Sequence, residues 1–264
     1  MTTERVTPGG PDGSTTDLQL VHEDVSTLVT RLVEINIPEA PDVMLPPEDW
    51  ALVKDYLSLL LNESNLPHFV GIVKKVKQKD EDTGEEREVN RRMTTEDFIR
   101  GLRDPRVHVL SFRNDADDIL GYAILRDPPD GEHETWIEKL VVRNQYQNKR
   151  RTDIQQPHVG TQILEQIKDY AFGTQTFDGR DREILYTAVV MFVPNWQRTD
   201  RLFTKSGFRP LVRWQEHAEV IMGGKFVTRD TERLGLRRED WEASKLRKLL
   251  VQQQEQAAAV SDLN

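Results

Sequence analysis

The chain has 264 residues, of which 37% are hydrophobic and 31% are charged, as in a globular protein with a charge-rich surface. Its 36 basic and 45 acidic residues give a formal net charge of −9, which argues against a protein that binds nucleic acid or anionic membranes. The absence of cysteine excludes disulfides and thiol catalysis, and no apolar run reaches the roughly 20 residues that cross a bilayer. We therefore expect a cytoplasmic protein.

The first part of the chain is predicted to hold a leader and two helices. Residues 1–16 are rich in Gly, Pro, Ser and Thr and indicate a flexible leader. Apolar residues then recur at spacings of three and four from Val25 to Ile35, which predicts a helix. Pro47, Glu48 and Asp49 predict the start of a second helix, because proline and acidic residues favour the first helical turn.

The middle of the chain is predicted to be rich in strands. A hairpin is expected from strands at 69–76 and 85–93, joined by a charged excursion at 77–86 that contains a turn sequence. The polar run from Thr94 to Asp97 favours a short helix that ends near Leu102. Apolar runs bounded by turn residues then predict strands at 106–112, 119–125 and 135–142.

The C-terminal half alternates helices and strands before a helical tail. Periodicity predicts helices from Val159 and at 195–206, and strands at 183–193, from Gly207 toward Trp214, and at 217–227. From about Leu234 an apolar stripe indicates a helix, which docks either on the domain or, as a homodimer contact, on a second chain. We expect a leader at 1–16, one domain at 17–228 and a helical tail at 229–264. The element order predicts an α+β fold with a central mixed, mostly antiparallel twisted sheet flanked by helices.

Two segments of the sequence carry a resemblance to a known family. The first is LVVRNQYQ at 140–147, which leads to HVGTQIL at 158–164. The second is Asn195 followed by RLFTKSGF at 201–208. In this order, with a β-rich run between them, they resemble the acyl-CoA-binding segments of the GNAT acetyltransferase superfamily. The resemblance implies the GNAT-like acyl-CoA N-acyltransferase fold and acetyl-CoA as co-substrate.

The resemblance also implies where acetyl-CoA binds. A helix N-terminus offers unpaired N–H groups and a partial positive charge to a pyrophosphate, and a small residue such as Gly160 lets the backbone come close. Lys149 to Arg151, in the loop insertion at 148–157, are either phosphate ligands or exposed charges without a ligand. Gln147 fits the family's Arg/Gln position, for which Gln155 is the alternative. The expected cofactor-binding residues are Leu140, Val142, Gln147, His158, Val159, Gly160, Thr161, Asn195 and Phe203.

The family mechanism is direct attack of an amine on the thioester, which needs a base and a proton donor. Strand alternation puts Trp136, Glu138, Leu140 and Val142 on one face, so Glu138 is the candidate base. Weaker substitutes for the base are His133 and Glu134. Tyr186 and Tyr146 are candidate proton donors, because Phe203 stands where the family has a tyrosine. A backbone N–H near Leu140 or Val142 is the expected oxyanion donor.

Two functions therefore remain open from the sequence. The first is an N-acetyltransferase that acylates an amine, and the net charge slightly favours a cationic acceptor. The second is a catalytically weak or inactive CoA-binding and interaction module, which His158, the long loop and Phe203 favour. No spacing of histidines, cysteines or acidic residues indicates a metal site, and a membrane or nucleic-acid partner is not expected.

Overall fold

The computed structural model describes residues 29–35, 37–38, 46–61, 73–79, 86–92, 94–129, 133–146, 158–191, 196–222 and 225–261. The expected leader, the loop insertion at 148–157 and the candidate residues Gln147 and Asn195 lie outside the described residues.

A seven-stranded sheet forms the centre of the described chain, with a separate two-stranded hairpin. The strand order is β1-β4-β5-β6-β7-β9-β8, and only the β6–β7 pair is parallel within this sheet. The predicted α+β class with a mostly antiparallel sheet is confirmed. The strands are β1 (Arg31–Ile35), β2 (Val73–Lys79), β3 (Glu86–Arg92), β4 (Val107–Arg113), β5 (Ile119–Arg126), β6 (Glu134–Val142), β7 (Ile184–Val190), β8 (Arg209–Met222) and β9 (Lys225–Arg237).

Five α-helices accompany these strands in the described chain. Thr94 caps the second of them, since its hydroxyl accepts the N–H of Asp97 at 3.2 Å while its own N–H donates to the Asp97 carboxylate. None of the described helices is both long and apolar enough to cross a membrane. The helices are α1 (Pro47–Leu61), α2 (Thr95–Leu102), α3 (Val159–Gly173), α4 (Trp196–Lys205) and α5 (Arg238–Ser261).

Helices cover both faces of the sheet, which gives two hydrophobic cores. On one face α3 buries Ile163 and Ile167 against β5 and β6, and on the other face α1 and α2 bury Tyr56 and Phe98. Because β5 is covered on both sides, six consecutive residues of it are buried, from Leu120 to Leu125. We call these faces the α3 face and the α1 face.

The predicted helix from Val25 to Ile35 is wrong for its last five residues, which form β1. This strand pairs antiparallel with β4, from Arg31 opposite Arg113 to Ile35 opposite Val109. Leu32 packs on the α3 face, whereas Ile35 is buried on the α1 face. A strand that is apolar on both faces imitates the spacing of a helix, and this explains the error.

The predicted start of the helical tail near Leu234 is also wrong. Leu234 lies in β9, fully buried between β7 and β8, and α5 begins only at Arg238. The start of α5 docks through Trp241, whose ring centroid lies 5.1 Å from that of Phe172 on α3. Farther along α5, the apolar side chains Leu246, Leu249, Leu250 and Val251 are 49–59% exposed.

Gly121 on β5 allows β6 and α3 to pack closely at this point. A Cβ atom there would clash with the carbonyl oxygen of Val141 and would lie 2.7 Å from Ile163 Cδ1. We predict that Gly121→Ala lowers the free energy of unfolding by about 2 kcal/mol or more, because a paired strand cannot move away. Urea denaturation measures this change.

Gly101→Ala in α2 is the matched control, because a Cβ there would meet nothing within 4 Å. It should raise the free energy of unfolding by up to about 1 kcal/mol through better helix propensity. Equal stability of the Gly121→Ala variant and the wild type would contradict the packing described here.

Candidate functional site

Strands β6 and β7 are paired along only part of their length. The parallel register runs from Glu134 opposite Ile184 to Ile137 opposite Thr187. Beyond this point β6 stays paired with β5 up to Val142, and β7 stays paired with β9. The two strands therefore separate from Glu138 onward, and a gap opens in the middle of the sheet.

A β-bulge lies where the separation begins. In the β5–β6 register Leu125 is opposite Ile137, whereas the preceding Ile124 is opposite Lys139. Glu138 is thus the extra residue of β6. Bulges of this kind redirect side chains and frequently lie beside active sites.

The bulge corrects the alternation expected from the sequence. Leu140 and Val142 pack on the α3 face, while Val141 is buried on the α1 face. The prediction that Leu140 and Val142 share a face with Trp136 and Glu138 is therefore wrong, since the extra residue inverts the alternation. Glu138 and the apolar end of β6 consequently line different sides of the sheet.

A buried ion pair holds β6 and β7 together at the closed end of the gap. The side chains of Arg182 and Asp127 are only 1% and 3% exposed, and two nitrogen–oxygen pairs between them lie at 3.2 and 3.1 Å. Thr135, near the start of β6, accepts from Arg182 Nε at 2.7 Å and donates to Asp127 at 2.6 Å. Because Arg182 lies two residues before β7 and donates to Thr135 on β6, the network ties the starts of the two strands together.

His108 on β4 extends this network toward β1. Its Nε2 lies 3.2 Å from Asp127 Oδ2 and 3.0 Å from Arg182 Nη2, while its Nδ1 lies 2.9 Å from Glu34 Oε1 and 3.1 Å from the Tyr170 hydroxyl. Burial alone would lower the pKa of His108, but the hydrogen bonds to Asp127 and Glu34 outweigh it and raise the pKa to about 8. The network joins β1, β4, the end of β5 and helix α3.

The N-terminus of α3 lies beside the open part of β6. A Cβ on Gly160 would be 3.6 Å from Val142 Cγ2 and 3.6 Å from Leu202 Cδ2, so the first turn of α3 lies between the end of β6 and helix α4. His158 makes no side-chain capping bond, and the first turn holds no acidic residue. This turn can therefore offer N–H groups and positive dipole to an anion.

Several candidate residues thus lie close together at this end of the sheet. Val142 and Gly160 are in near contact, Thr161 is in the same first turn, and Val159 anchors that turn in the core at 6% exposed. Phe203 is buried, with its ring centroid 5.1 Å from that of Phe208. Phe203 is therefore a core residue, and its side chain cannot act as a proton donor.

Glu138 is on the α1 face and is 34% exposed. Its Oε1 accepts a 2.5 Å hydrogen bond from Arg126 Nε, and Arg126 also pairs with Asp104 at 3.1 Å. Burial raises the pKa of Tyr56 well above its ordinary value, and the charge of Glu138 adds to the rise. Glu138 therefore faces α1 and is paired with the guanidinium of Arg126.

An aromatic and charged cluster lies next to Glu138, and Arg233 is its one member that the sequence analysis does not name. The guanidinium carbon of Arg233 is 3.7 Å from the ring centroid of Tyr186 and 4.5 Å from that of Trp136. Arg233 Nη2 donates to Glu134 Oε2 at 3.2 Å. Arg233 falls in the helical tail expected at 229–264, whereas the structure places it on strand β9.

The same cluster bears on Tyr186 as a proton donor. Burial raises the pKa of Tyr186, and the neighbouring Glu134 raises it further, while Arg233 opposes the rise. A phenol with a raised pKa is a weaker acid, so the position favours packing and hydrogen bonding over proton donation. Tyr146, the other candidate, is 5% exposed in the core on the α3 face.

Comparisons with solved structures bear on the fold. A variant of the spermidine N-acetyltransferase SpeG from Vibrio cholerae superposes with a TM-score of 0.50, at 11% identity, over 79% of this chain and 95% of that chain. This chain has the GNAT fold. An N-acetyltransferase from Staphylococcus aureus Mu50 gives a TM-score of 0.46 at 12% identity, over 78% and 96% of the two chains. No protein-family model and no curated protein matches the sequence of this GNAT-fold chain.

The His108 network predicts a pH dependence of stability. Since the pKa of His108 is raised from 6.5 to about 8, the stabilisation is fully present below pH 6.5 and is lost as the pH rises through 8. We expect the free energy of unfolding to fall by about 2 kcal/mol over this interval. Urea denaturation at a series of pH values, on the wild type and on His108→Gln, measures the difference.

His133→Gln is the control, because the His133 side chain is 47% exposed and outside the network. This variant should keep the pH dependence of the wild type. An unchanged pH dependence in His108→Gln would show that His108 does not hold the network.

Proposed function

We propose that the protein is an N-acetyltransferase that transfers an acetyl group from acetyl-CoA to an amine. The observation that carries the proposal is the gap between β6 and β7, with the N-terminus of α3, where His158 makes no side-chain capping bond, beside its apolar wall. An extended thioester arm fits between two separated strands, and a pyrophosphate fits a helix N-terminus. The GNAT fold supports the same reading.

The residues around the first turn of α3 suit the anionic part of acetyl-CoA. Gly160 has no side chain to cover the turn, and the Thr161 hydroxyl is a further donor. Leu140 and Val142 supply an apolar wall on β6. Gln147, His158 and Asn195 remain proposed ligands on the strength of the sequence resemblance.

The chemistry proposed for the gap needs three groups from the chain. Glu138 takes a proton from the acceptor ammonium, directly or through water, so that the amine nitrogen attacks the thioester carbonyl. A main-chain N–H of β6 beyond the bulge, near Leu140, donates to the oxyanion. The carbon–sulfur bond then breaks, the nitrogen loses its second proton to water, and water delivers a proton to the thiolate, since a thiol pKa of about 8.5 makes this protonation inexpensive near neutral pH.

Phe203 favours a second candidate function, a CoA-binding module with little or no catalysis. This residue is buried against Phe208 and carries no hydroxyl, so the phenol that the family resemblance implies at this position is missing. Such a module would bind CoA with the same elements and would not release thiol in the presence of amines. The two functions therefore share the binding prediction and differ in turnover.

The remaining parts of the proposal concern assembly and location. The exposed apolar residues of α5 support a contact with a second copy of the chain, which is one of the two alternatives that the sequence leaves open. A cytoplasmic location remains a prediction from composition.

Gly160→Glu tests the binding site directly. A carboxylate in the first turn of α3 is compatible with the helix dipole, so the variant should fold, but it repels a pyrophosphate. We predict that the dissociation constant for CoA rises at least about tenfold, which corresponds to about 1.4 kcal/mol. Isothermal titration calorimetry measures it.

Gly173→Glu, at the other end of α3, is the matched control, because a Cβ there meets nothing within 4 Å. It should bind CoA like the wild type. Undiminished CoA binding by folded Gly160→Glu would rule out the site proposed here, and with it both candidate functions.

Glu138→Gln tests the proposed base. We predict that kcat falls by about 10²-fold or more, the typical contribution of a general base, while the dissociation constant for CoA stays the same. Thiol release over an amine panel gives the rate. Glu183→Gln, whose side chain is 64% exposed before β7, is the control.

The outcomes separate the candidate functions. A wild-type protein that binds CoA but releases no thiol with any amine supports the module and contradicts the transferase. Full turnover by Glu138→Gln would leave the transferase standing and remove Glu138 as its base.

A further inference from the structure

We infer that the acceptor carries a carboxylate as well as the reacting amine, and that Arg233 binds this carboxylate. The inference rests on the N-acetyltransferase function proposed above and names its acceptor class, an amino acid or a similar amino-carboxylic compound. Four observations support it. They are the distance between Glu138 and Arg233, the sheet face that they share, the alternation of charged side chains on that face, and the aromatic rings that pack against the guanidinium.

The register of the sheet places Glu138 and Arg233 at the same level. Ile137 is opposite Thr187, and Glu138 and Ala188 are the next residues on the two sides of the gap. Ala188 is in turn opposite Arg233. Neighbouring strands lie about 4.8 Å apart, so the two residues are about 10 Å apart at their backbones, and more where β6 and β7 separate.

Both side chains are on the α1 face. The guanidinium of Arg233 stacks on Trp136 and on Tyr186, which are paired across β6 and β7. Trp136 precedes the bulge by two residues, so it shares its face with Glu138. Trp136 and Arg233 are both partly exposed there, with 22% of the Arg233 side chain accessible. Because the guanidinium lies over these rings, an acceptor bound between Arg233 and Glu138 reaches the carboxylate of Glu138 with one end and Arg233 with the other.

Charges alternate along this face. Arg126 pairs with Glu138, and Arg233 pairs with Glu134. The face therefore carries a negative charge at Glu138 and a positive charge at Arg233, whose guanidinium lies over the rings of Trp136 and Tyr186. A zwitterion complements both, with its ammonium at Glu138 and its carboxylate at Arg233. A simple diamine would instead bring a second positive charge toward the guanidinium, which is unfavourable.

The guanidinium is also prepared to take a planar anion. Tyr186 packs closely against Gly235 of β9. A Cβ on Gly235 would be 2.6 Å from Leu211 Cδ1 and 3.0 Å from Tyr186 Cε1. The stacked ring fixes the plane of Arg233, and Glu134 accepts from Nη2. Arg233 Nε is buried without a hydrogen-bond partner among the described residues. Arginine presents several N–H donors in a fork that matches a carboxylate.

The test compares amines that differ only by the carboxylate. The matched pairs are 4-aminobutyrate with propylamine, lysine with 1,5-diaminopentane, and phenylalanine with 2-phenylethylamine. Each is titrated calorimetrically into the full chain saturated with CoA. In at least one pair we expect the carboxylate-bearing member to bind at least about tenfold more tightly, as for a hydrogen bond between charged groups.

Variants then assign the preference to Arg233. Arg233→Gln should remove the tenfold difference while CoA binding stays unchanged. Glu134→Gln, which removes the competing carboxylate, should keep or increase the difference. Arg237→Gln is the control for loss of one positive charge on β9, since the Arg237 side chain is 68% exposed and pairs weakly with Glu239 at 3.6 Å. Thermal unfolding checks that each variant is folded.

Each outcome decides the inference. Equal or tighter binding of the decarboxylated member in every pair overturns it. A preference for the carboxylate-bearing amine that survives in Arg233→Gln also overturns it, and so does the absence of amine binding in all pairs. Turnover of decarboxylated amines with CoA binding intact would overturn this inference alone. A failure of CoA binding in the wild type would instead overturn the proposed function.

Discussion

The buried ion pair between Asp127 and Arg182 is the constraint on which the rest of the site depends. It joins the end of β5 to the residues before β7, and Thr135 ties β6 to the pair, while the parallel ladder ends after Ile137 and Thr187. A sheet that is fixed at one end and separated at the other offers an edge inside the molecule, where main-chain groups face a gap instead of a strand. Burial of this pair is costly, and Thr135 and His108 compensate by satisfying its hydrogen bonds.

The two sides of the gap have different chemistry because of a single extra residue. The bulge at Glu138 turns Leu140 and Val142 toward α3, where they form an apolar wall beside the N-terminus of α3. It leaves Glu138 on the opposite face, among Arg126, Trp136 and the Arg233 cluster. A thioester donor and a charged acceptor can therefore approach the same point from opposite faces of the sheet. The donor then contacts the apolar wall, and the acceptor contacts the charged residues.

Much of the fold was predictable because local signals and tertiary contacts agree. The capping residues of α2 and the turns around β4 to β6 gave bounds that the structure confirms to within a residue or two. The helix error at β1 arises because Leu32 and Ile35 pack on opposite faces of the sheet, so that the period of two is lost. The late start of α5 arises because Leu234 and Leu236 belong to β9 and not to the helical stripe. The bulge at Glu138 could not be predicted, since it depends on the register with β5. Arg233 was missed for the same reason as β9: no local pattern shows which strand it joins.

A crystal structure of the chain with bound CoA tests the central claim most directly. We predict that the pyrophosphate lies within hydrogen-bonding distance of the main-chain N–H groups of the first turn of α3, with the pantetheine arm between β6 and β7 beyond Ile137. Density for CoA elsewhere, or a β6–β7 ladder that continues past Thr187 and closes the gap, would contradict it.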